Sequence, residues 1–178
     1  MNNISVDCII GIDPGKGGGI AVWRPNHKTQ AIKMPENLMD LKEWFDYMQD
    51  ISVPIVFIEK LQLRTTDMTD NPGKVFRINK LLADFEKLKT IMTICNIPFV
   101  LVNPMKWQSE LKLRIKGEIK EVRKNRYRSI AGNKYPEVKA TLWNADALLI
   151  MHFGRYMLKN NLNWVMANTP INLHDKLF

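Results

Sequence analysis

Three acidic residues stand in stretches of sequence that are otherwise apolar enough to be buried. Asp13 ends the run CIIGID, Glu59 ends the run PIVFIE, and Asp146 lies within NADALLIM. A carboxylate removed from water is destabilising unless it is protonated or paired, and converging carboxylates repel one another unless a cation holds them together. Oxygen ligands of this kind favour magnesium or manganese. Taken singly, each acid is also consistent with a solvated strand end or a helix cap.

The segment that follows Asp13, PGKGGG, is nearly free of side chains. One interpretation is a hairpin turn; the other is a turn that lets a bulky phosphodiester backbone approach the carboxylate. Two metal ions about 3.5–4 Å apart could then clamp that phosphodiester for hydrolysis. The segment also resembles an ATP-binding phosphate loop. That interpretation fails because three residues, not four, separate Gly11 from Gly15, and no Ser or Thr follows Lys16.

The positive charge of the chain is concentrated in one segment. The 178 residues carry a formal net charge of +8. Residues 105–139 contain eleven Lys and Arg against four acids, so nearly the whole excess falls in about a fifth of the chain. A concentrated basic surface attracts a polyanion such as DNA through counterion release. The alternative is a solvated helix that happens to be basic.

The elements that must position these residues follow from hydrophobic periodicity. Strands are predicted at 6–13, 19–24, 29–34, 54–60 and 97–104, and helices at 37–50, 74–95 and 142–158. The first three strands have short connections, which indicates an antiparallel meander, and strands then alternate with helices. This order predicts an α/β fold with a mixed sheet and helices on its faces.

Composition is typical of one globular domain, with 46% hydrophobic and 25% charged residues. We expect that domain to span residues 1–160 and the polar tail 161–178 to be peripheral. No apolar run reaches the roughly 18 residues of a membrane-spanning helix, so no membrane partner is expected. Cys8 and Cys95 lie in apolar sequence and are expected to be free thiols.

The acidic stretches carry a family resemblance. IIGIDPGKGGGIAV, IVFIEK and NADALLI resemble, in order and spacing, the three acidic motifs of the RuvC family of Holliday junction resolvases. The resemblance covers about residues 6–156, and the short chain is similar to the compact phage-type members. It implies an RNase H-like fold whose five-stranded mixed sheet has three antiparallel strands and then parallel ones. It also implies that Asp13, Glu59 and Asp146 are the catalytic residues and the metal ligands.

For activity, the resemblance implies a structure-selective endonuclease that resolves Holliday junctions and other branched DNA. It would act as a homodimer with two Mg²⁺ ions per site, Mn²⁺ being a substitute. The helix at 74–95 would form the dimer face or be an internal core helix. Such a protein would work in the cytoplasm of a bacterial or phage-infected cell, or in another DNA-containing compartment. Two alternatives stay open: an RNase H-like nuclease acting on RNA or RNA–DNA hybrids, and a catalytically degraded protein that binds branched DNA.

One position departs from the family pattern. The family commonly has another acid one helical turn before the last one, where this chain has Trp143. The neighbouring Asn144 is a candidate helix N-cap, a candidate oxygen ligand of the metal, or an altered acid. The departure leaves two-metal occupancy open. His152 follows Asp146 by six residues, which is poor spacing for the same helix face, so we expect a core or surface histidine.

Basic residues are the candidate DNA contacts, which would position phosphates without reading bases. By the resemblance, Lys106 or Lys112 would contact the scissile phosphate, while Trp107 packs the segment onto the core. The loop at 61–73 would reach the junction centre with Leu63 and Arg64, or would simply be solvated. The expected DNA-binding residues are Lys106, Lys112, Arg114, Lys116, Lys120, Arg123, Lys124 and Arg64.

Overall fold

The computed structural model describes residues 6–15, 17–61 and 71–170, which contain five strands and six helices. The strands are β1 (Cys8–Asp13), β2 (Gly19–Trp23), β3 (Gln30–Lys33), β4 (Pro54–Glu59) and β5 (Phe99–Val102). The helices are α1 (Leu38–Ile51), α2 (Pro72–Ile94), α3 (Pro104–Glu110), α4 (Lys120–Lys134), α5 (Ala145–Asn160) and α6 (Leu162–Asn168). No described helix combines the length and hydropathy that crossing a membrane requires.

The strands form one mixed sheet in the order β3-β2-β1-β4-β5. β1, β2 and β3 pair antiparallel, whereas β4 runs parallel to both β1 and β5. Every predicted strand is present, with its ends within two residues of the predicted ones. The predicted fold class, an α/β fold with a five-stranded mixed sheet flanked by helices, is therefore confirmed.

The two central strands are buried on both faces of the sheet. Their residues in the core beneath α1 and α2 are Cys8, Ile10, Ile12, Val56 and Ile58. Their residues in the core beneath α5 are Ile9, Ile55 and Phe57. Because strand side chains alternate with a period of two, the last residues of these strands, Asp13 and Glu59, point to the α5 side.

Helix α5 lies directly on β1 at Gly11. A Cβ at Gly11 would stand 2.3 Å from the Met151 nitrogen and 2.4 Å from the Ala147 oxygen, both helix backbone atoms. Only glycine permits this approach. Helix α5 also contacts β2 and β4, so its first turn, which carries Asp146, is held above the strand ends.

The start of the first helix and the two cysteines agree with the sequence. Asn37 caps α1, since its side-chain oxygen accepts a hydrogen bond of 2.8 Å from the Asp40 amide. Cys8 and Cys95 are both free thiols. The described structure thus agrees with the sequence pattern at a helix start as well as in the strands.

The described part of the expected tail, residues 161–170, contains α6, which packs against the core. Asn161 caps α6 by accepting a hydrogen bond of 3.2 Å from the Trp164 amide. Val165 is fully buried in the core beneath α5, and the Trp164 ring meets that of Phe153 edge-on at 5.7 Å. A helix this short owes its stability to such packing. Residues 171–178 lie outside the described residues.

We predict that Gly11→Ala destabilises the protein by about 1–3 kcal/mol, the usual range for overpacking. The added methyl group meets helix backbone that cannot rotate away, so α5 has to move off the sheet and carry Asp146 with it. Urea denaturation would measure the free energy of unfolding. Gly17→Ala is the matched control, because a Cβ there has no neighbour within 4 Å. Equal stability of the two variants would contradict the close packing of α5.

Candidate active site

Asp13 and Glu59 lie side by side at the carboxyl ends of two parallel strands. Ile12 pairs with Ile58 across β1 and β4, so the next residue on each strand places its carboxylate at the same edge of the sheet. Both residues are partly buried. The sequence pattern predicted this juxtaposition, and the strand register provides it.

Asp146 reaches this edge from the first turn of α5, where it is 7% exposed. Its Oδ2 accepts a hydrogen bond from the Lys124 ammonium. Its Oδ1 is buried without a hydrogen-bond partner among the described residues. An ionised carboxylate therefore keeps one oxygen unsatisfied inside the protein, which is costly unless a further ligand completes it.

The three carboxylates act on one another electrostatically. Burial first, then the charges of Asp146 and Glu59, raises the pKa of Asp13 to about 7. Burial also raises the pKa of Glu59; a hydrogen bond from Trp107 opposes that rise, and the charge of Asp146 adds to it. Desolvation combined with like-charge repulsion is the pattern that functional carboxylate clusters show.

Trp107 orients the Glu59 carboxylate through a hydrogen bond. Its indole is fully buried and donates a hydrogen bond of 2.8 Å from Nε1 to Glu59 Oε2. Its ring also meets Tyr127 of α4 at 5.6 Å. The predicted packing role of Trp107 is confirmed, and the hydrogen bond gives it a second role, the orientation of a site carboxylate, that the sequence did not indicate.

Lys124 lies inside the acidic site, although the sequence suggested only a DNA contact. Burial alone would lower its pKa, but the charge of Asp146 and the hydrogen bond to it raise the pKa above the ordinary value. Its neighbour Arg123 is close enough for its charge to act on Glu59. No spacing rule could reveal the contact, because Lys124 and Asp146 are 22 residues apart and meet only through the packing of α4 on α5.

The other expected DNA contacts fall into two groups. The segment between α3 and α4 exposes Lys112, Arg114 and Lys116, and Lys120 is exposed in the first turn of α4. Arg126 fixes this segment: it pairs with both oxygens of Glu118 at 2.7 Å and donates a hydrogen bond of 2.6 Å to the Leu113 carbonyl. A firmly held loop can present its cations as one surface.

Lys106 lies apart from that surface. The Lys106 ammonium pairs with Glu110 at 2.5 Å and lies 5.6 Å from the centre of the Trp164 ring of α6. Helix α6 packs on the later turns of α5, whereas Asp146 lies in its first turn. Arg64, like Leu63, lies outside the described residues.

Trp143 and Asn144 both contact neighbouring parts of the protein, Trp143 by packing and Asn144 by hydrogen bonds. Carbon atoms of the Trp143 ring lie where a Cβ on Gly19 would be, within 2.9 Å of it, so the indole packs on the start of β2 beside Asp13. The Asn144 amide is engaged within its own loop: Oδ1 accepts from the Thr141 amide at 2.7 Å and Nδ2 donates to the Lys139 carbonyl at 3.1 Å. Asn144 occupies the N-cap position of α5 without a side-chain cap bond.

His152 packs inside the protein, which agrees with the expectation of a core or surface histidine. Its Nδ1 lies 2.9 Å from the Tyr135 hydroxyl, and the two rings meet edge-on. Burial, followed by the charges of Lys134 and Arg155, lowers the pKa of His152 to about 4. It is neutral at physiological pH.

The oxygen atoms of Asp13, Glu59 and Asp146 are the chemical type of ligand that a hard divalent cation binds. The three side chains offer carboxylate oxygens, the ligands that Mg²⁺ and Mn²⁺ prefer, and the unpartnered Asp146 Oδ1 is an atom that such an ion would satisfy. Within the described ranges, however, no three His, Cys, Asp or Glu side chains are arranged to hold a metal ion. The Lys124 ammonium is instead the cation that Asp146 contacts.

This sheet with its flanking helices is a RuvC-like fold. RuvC of Thermus thermophilus in complex with a Holliday junction substrate is similar at 14% identity and a TM-score of 0.51, covering 87% of this chain and 96% of that one. Another structure of Thermus thermophilus RuvC is similar at 15% identity and a TM-score of 0.50, covering 91% and 98%. No protein-family model matches the sequence, and no curated protein matches it.

We predict that Asp13→Asn changes how stability depends on pH in EDTA. The folded protein keeps a proton on Asp13 up to about pH 7, whereas the unfolded chain loses it near pH 4. The wild-type free energy of unfolding therefore falls over this window as the pH rises, and the asparagine variant lacks that fall. His152 contributes with the opposite sign, losing stability as pH falls towards 4, but both proteins share it. Parallel urea-denaturation profiles against pH would contradict the prediction.

We predict that Trp107→Phe lowers the free energy of unfolding by about 1–3 kcal/mol, because a buried Glu59 oxygen loses its donor. The loss should grow with pH, since the hydrogen bond favours the ionised form of Glu59. Denaturation in EDTA at two pH values would measure both effects. Trp44→Phe on α1 is the matched control. An equal and pH-independent loss in both variants would mean that the indole only fills space.

Proposed function

We propose that this protein is a metal-dependent, structure-selective DNA endonuclease that resolves Holliday junctions and other branched DNA. The observation that carries the proposal is the convergence of Asp13, Glu59 and Asp146 beside a basic surface. The likeness to a RuvC structure that holds a Holliday junction supports it. The subclass that we propose is the compact phage-type branch of the RuvC family.

Asp13, Glu59 and Asp146 would hold the metal, with two Mg²⁺ ions per site and Mn²⁺ as a substitute. Divalent ions supply charge stabilisation of the phosphodiester and an activated water when bound. The chain itself contributes the orientation of the ligands: Trp107 fixes Glu59, and α5 fixes Asp146. Asn144 is a weaker candidate ligand, because its amide is engaged with the loop that precedes α5.

The α3–α4 segment and the first turn of α4 form the proposed DNA-binding surface. Its cations are Lys112, Arg114, Lys116, Lys120, Arg123 and Lys124. Three large apolar side chains, Ile115, Ile119 and Val122, are exposed among these cations, at 57%, 65% and 51%. Alternating cations and exposed apolar groups can contact both phosphates and the unstacked bases of a branch point. Lys106 is the weaker candidate, since it is paired with Glu110.

Cutting a four-way junction symmetrically requires two active sites, so we propose a homodimer. Helix α2 is the candidate face. Its second half is buried against the sheet through Phe85 and Leu88, which is the core role foreseen for this helix. Its first half exposes Val75, Phe76 and Leu81, with Phe76 70% exposed. Exposed large apolar side chains are typical of an interface.

A specific observation also favours a second candidate, a branched-DNA-binding protein with a degraded active site. Trp143 stands where the family pattern has a further acid, and its ring packs on Gly19. A site short of one carboxylate holds metal less tightly. Binding a junction with high affinity while leaving it uncut would be the result that identifies this candidate.

We predict paired nicks on a labelled synthetic four-way junction with Mg²⁺, and no nicks on linear duplex or on an RNA–DNA hybrid. EDTA should abolish cleavage. Asp146→Asn should reduce its rate by about 10²-fold or more, the usual effect of removing one charge-stabilising group. Asp50→Asn, a matched change at an exposed position on α1, should cleave normally.

Preferential cutting of the hybrid would overturn the proposal in favour of the RNA-directed alternative. Cleavage that persists in EDTA would overturn the metal requirement, and cutting of linear duplex at the same rate would overturn structure selectivity. Electrophoretic separation of the labelled strands measures all three results in one assay.

A further inference from the structure

The acidic cluster consists of Asp13, Glu59 and Asp146. Among the described residues, Lys124 is the only one whose cation contacts this cluster directly. Lys124 extends from α4, and its Nζ donates to Asp146 Oδ2. The Lys124 side chain is 29% exposed and that of Asp146 is 9% exposed. The charges of Asp13 and Glu59 also act on Lys124. One ammonium therefore lies within electrostatic reach of all three carboxylates.

A single ammonium compensates this cluster only in part. On Asp146, one oxygen is paired with the lysine and the other has no described partner. One ammonium therefore leaves part of the carboxylate charge of the three acids without a partner.

We propose that Lys124 is an internal counter-cation of the acidic site, and that a divalent ion binding there must displace its ammonium from Asp146. The inference rests on the proposed function in so far as it takes the three acids as the metal ligands. The positive charge of a divalent ion held by the three carboxylates would repel the ammonium from Oδ2. Lys124 is a positioning residue that tunes metal affinity.

The ion pair of Lys124 with Asp146 differs from a surface ion pair because its carboxylate is buried. Surface pairs are screened by water and salt and contribute little, and Lys120, one turn earlier on α4, is exposed in that way. Lys124 is held against a buried carboxylate, so its loss should leave Asp146 uncompensated until a metal ion binds. The two lysines are therefore a matched pair, equal in charge and different in contact.

The test is calorimetric titration of Mg²⁺ into the full chain without DNA. Lys124→Met should bind Mg²⁺ roughly tenfold more tightly than the wild type, because no ammonium has to be displaced and none repels the ion. Lys120→Met should change the affinity by less than about twofold, since its exposed charge is screened. An unchanged or weaker affinity in Lys124→Met would overturn the inference.

Thermal unfolding provides a second readout that a merely structural ion pair would not reproduce. In EDTA, Lys124→Met should melt several degrees below the wild type, and saturating Mg²⁺ should remove most of that deficit. A deficit that Mg²⁺ leaves intact would mean that Lys124 only packs and pairs. If the methionine variant does not fold, Lys124→Gln gives the same comparison, because it keeps a donor to Asp146 without the charge.

The outcome is distinguishable from failure of the proposed function. Tighter Mg²⁺ binding by Lys124→Met together with no junction cleavage by the wild type would support the inference and overturn the nuclease. If neither the wild type nor Lys124→Met binds Mg²⁺, the inference is wrong whatever the protein does to DNA. If only Lys124→Met binds Mg²⁺, the lysine keeps the ion out altogether, which is the inference in its strongest form.

Discussion

The repulsion among three neighbouring carboxylates is the constraint on which the rest of this structure depends. Asp13 and Glu59 are adjacent because the register of β1 and β4 leaves no other place for them. Asp146 joins them because α5 lies against Gly11 with its backbone in direct contact. Both arrangements bring like charges together and therefore raise the electrostatic free energy of the site. The sheet and α5 are well packed enough to hold the cluster together against that cost.

The layer that covers the cluster offsets part of the cost. Trp107 donates to Glu59 from α3, and Lys124 donates to Asp146 from α4. The Trp107 ring also packs on Tyr127, so the two helices that deliver these donors are fixed to each other. Because α4 also begins the basic surface, the helix that compensates the acids is continuous with the one proposed to hold DNA.

The parts of this structure that the sequence predicted are those governed by local periodicity. Continuous apolar runs placed Asp13 and Glu59 at strand ends, and apolar spacing placed Asp146 on a helix. The contact of Lys124 with Asp146 depends on the docking of α4 on α5 across 22 residues, and no local pattern encodes it. Helix α6 was missed for a related reason: it is short, and it is stabilised by the burial of Val165 and the contact of Trp164 with α5, not by its own periodicity.

Charge counting gives Trp143 a consequence for the proposed mechanism. With all three acids ionised and the Lys124 ammonium displaced, one divalent ion leaves the site negative, and a negative site repels a phosphodiester. Two divalent ions give the site one net positive charge, which one phosphodiester neutralises. A fourth carboxylate in place of Trp143 would neutralise two ions before any DNA arrived. With three acids, the second ion and the phosphate compensate each other, so each should bind more readily when the other is present.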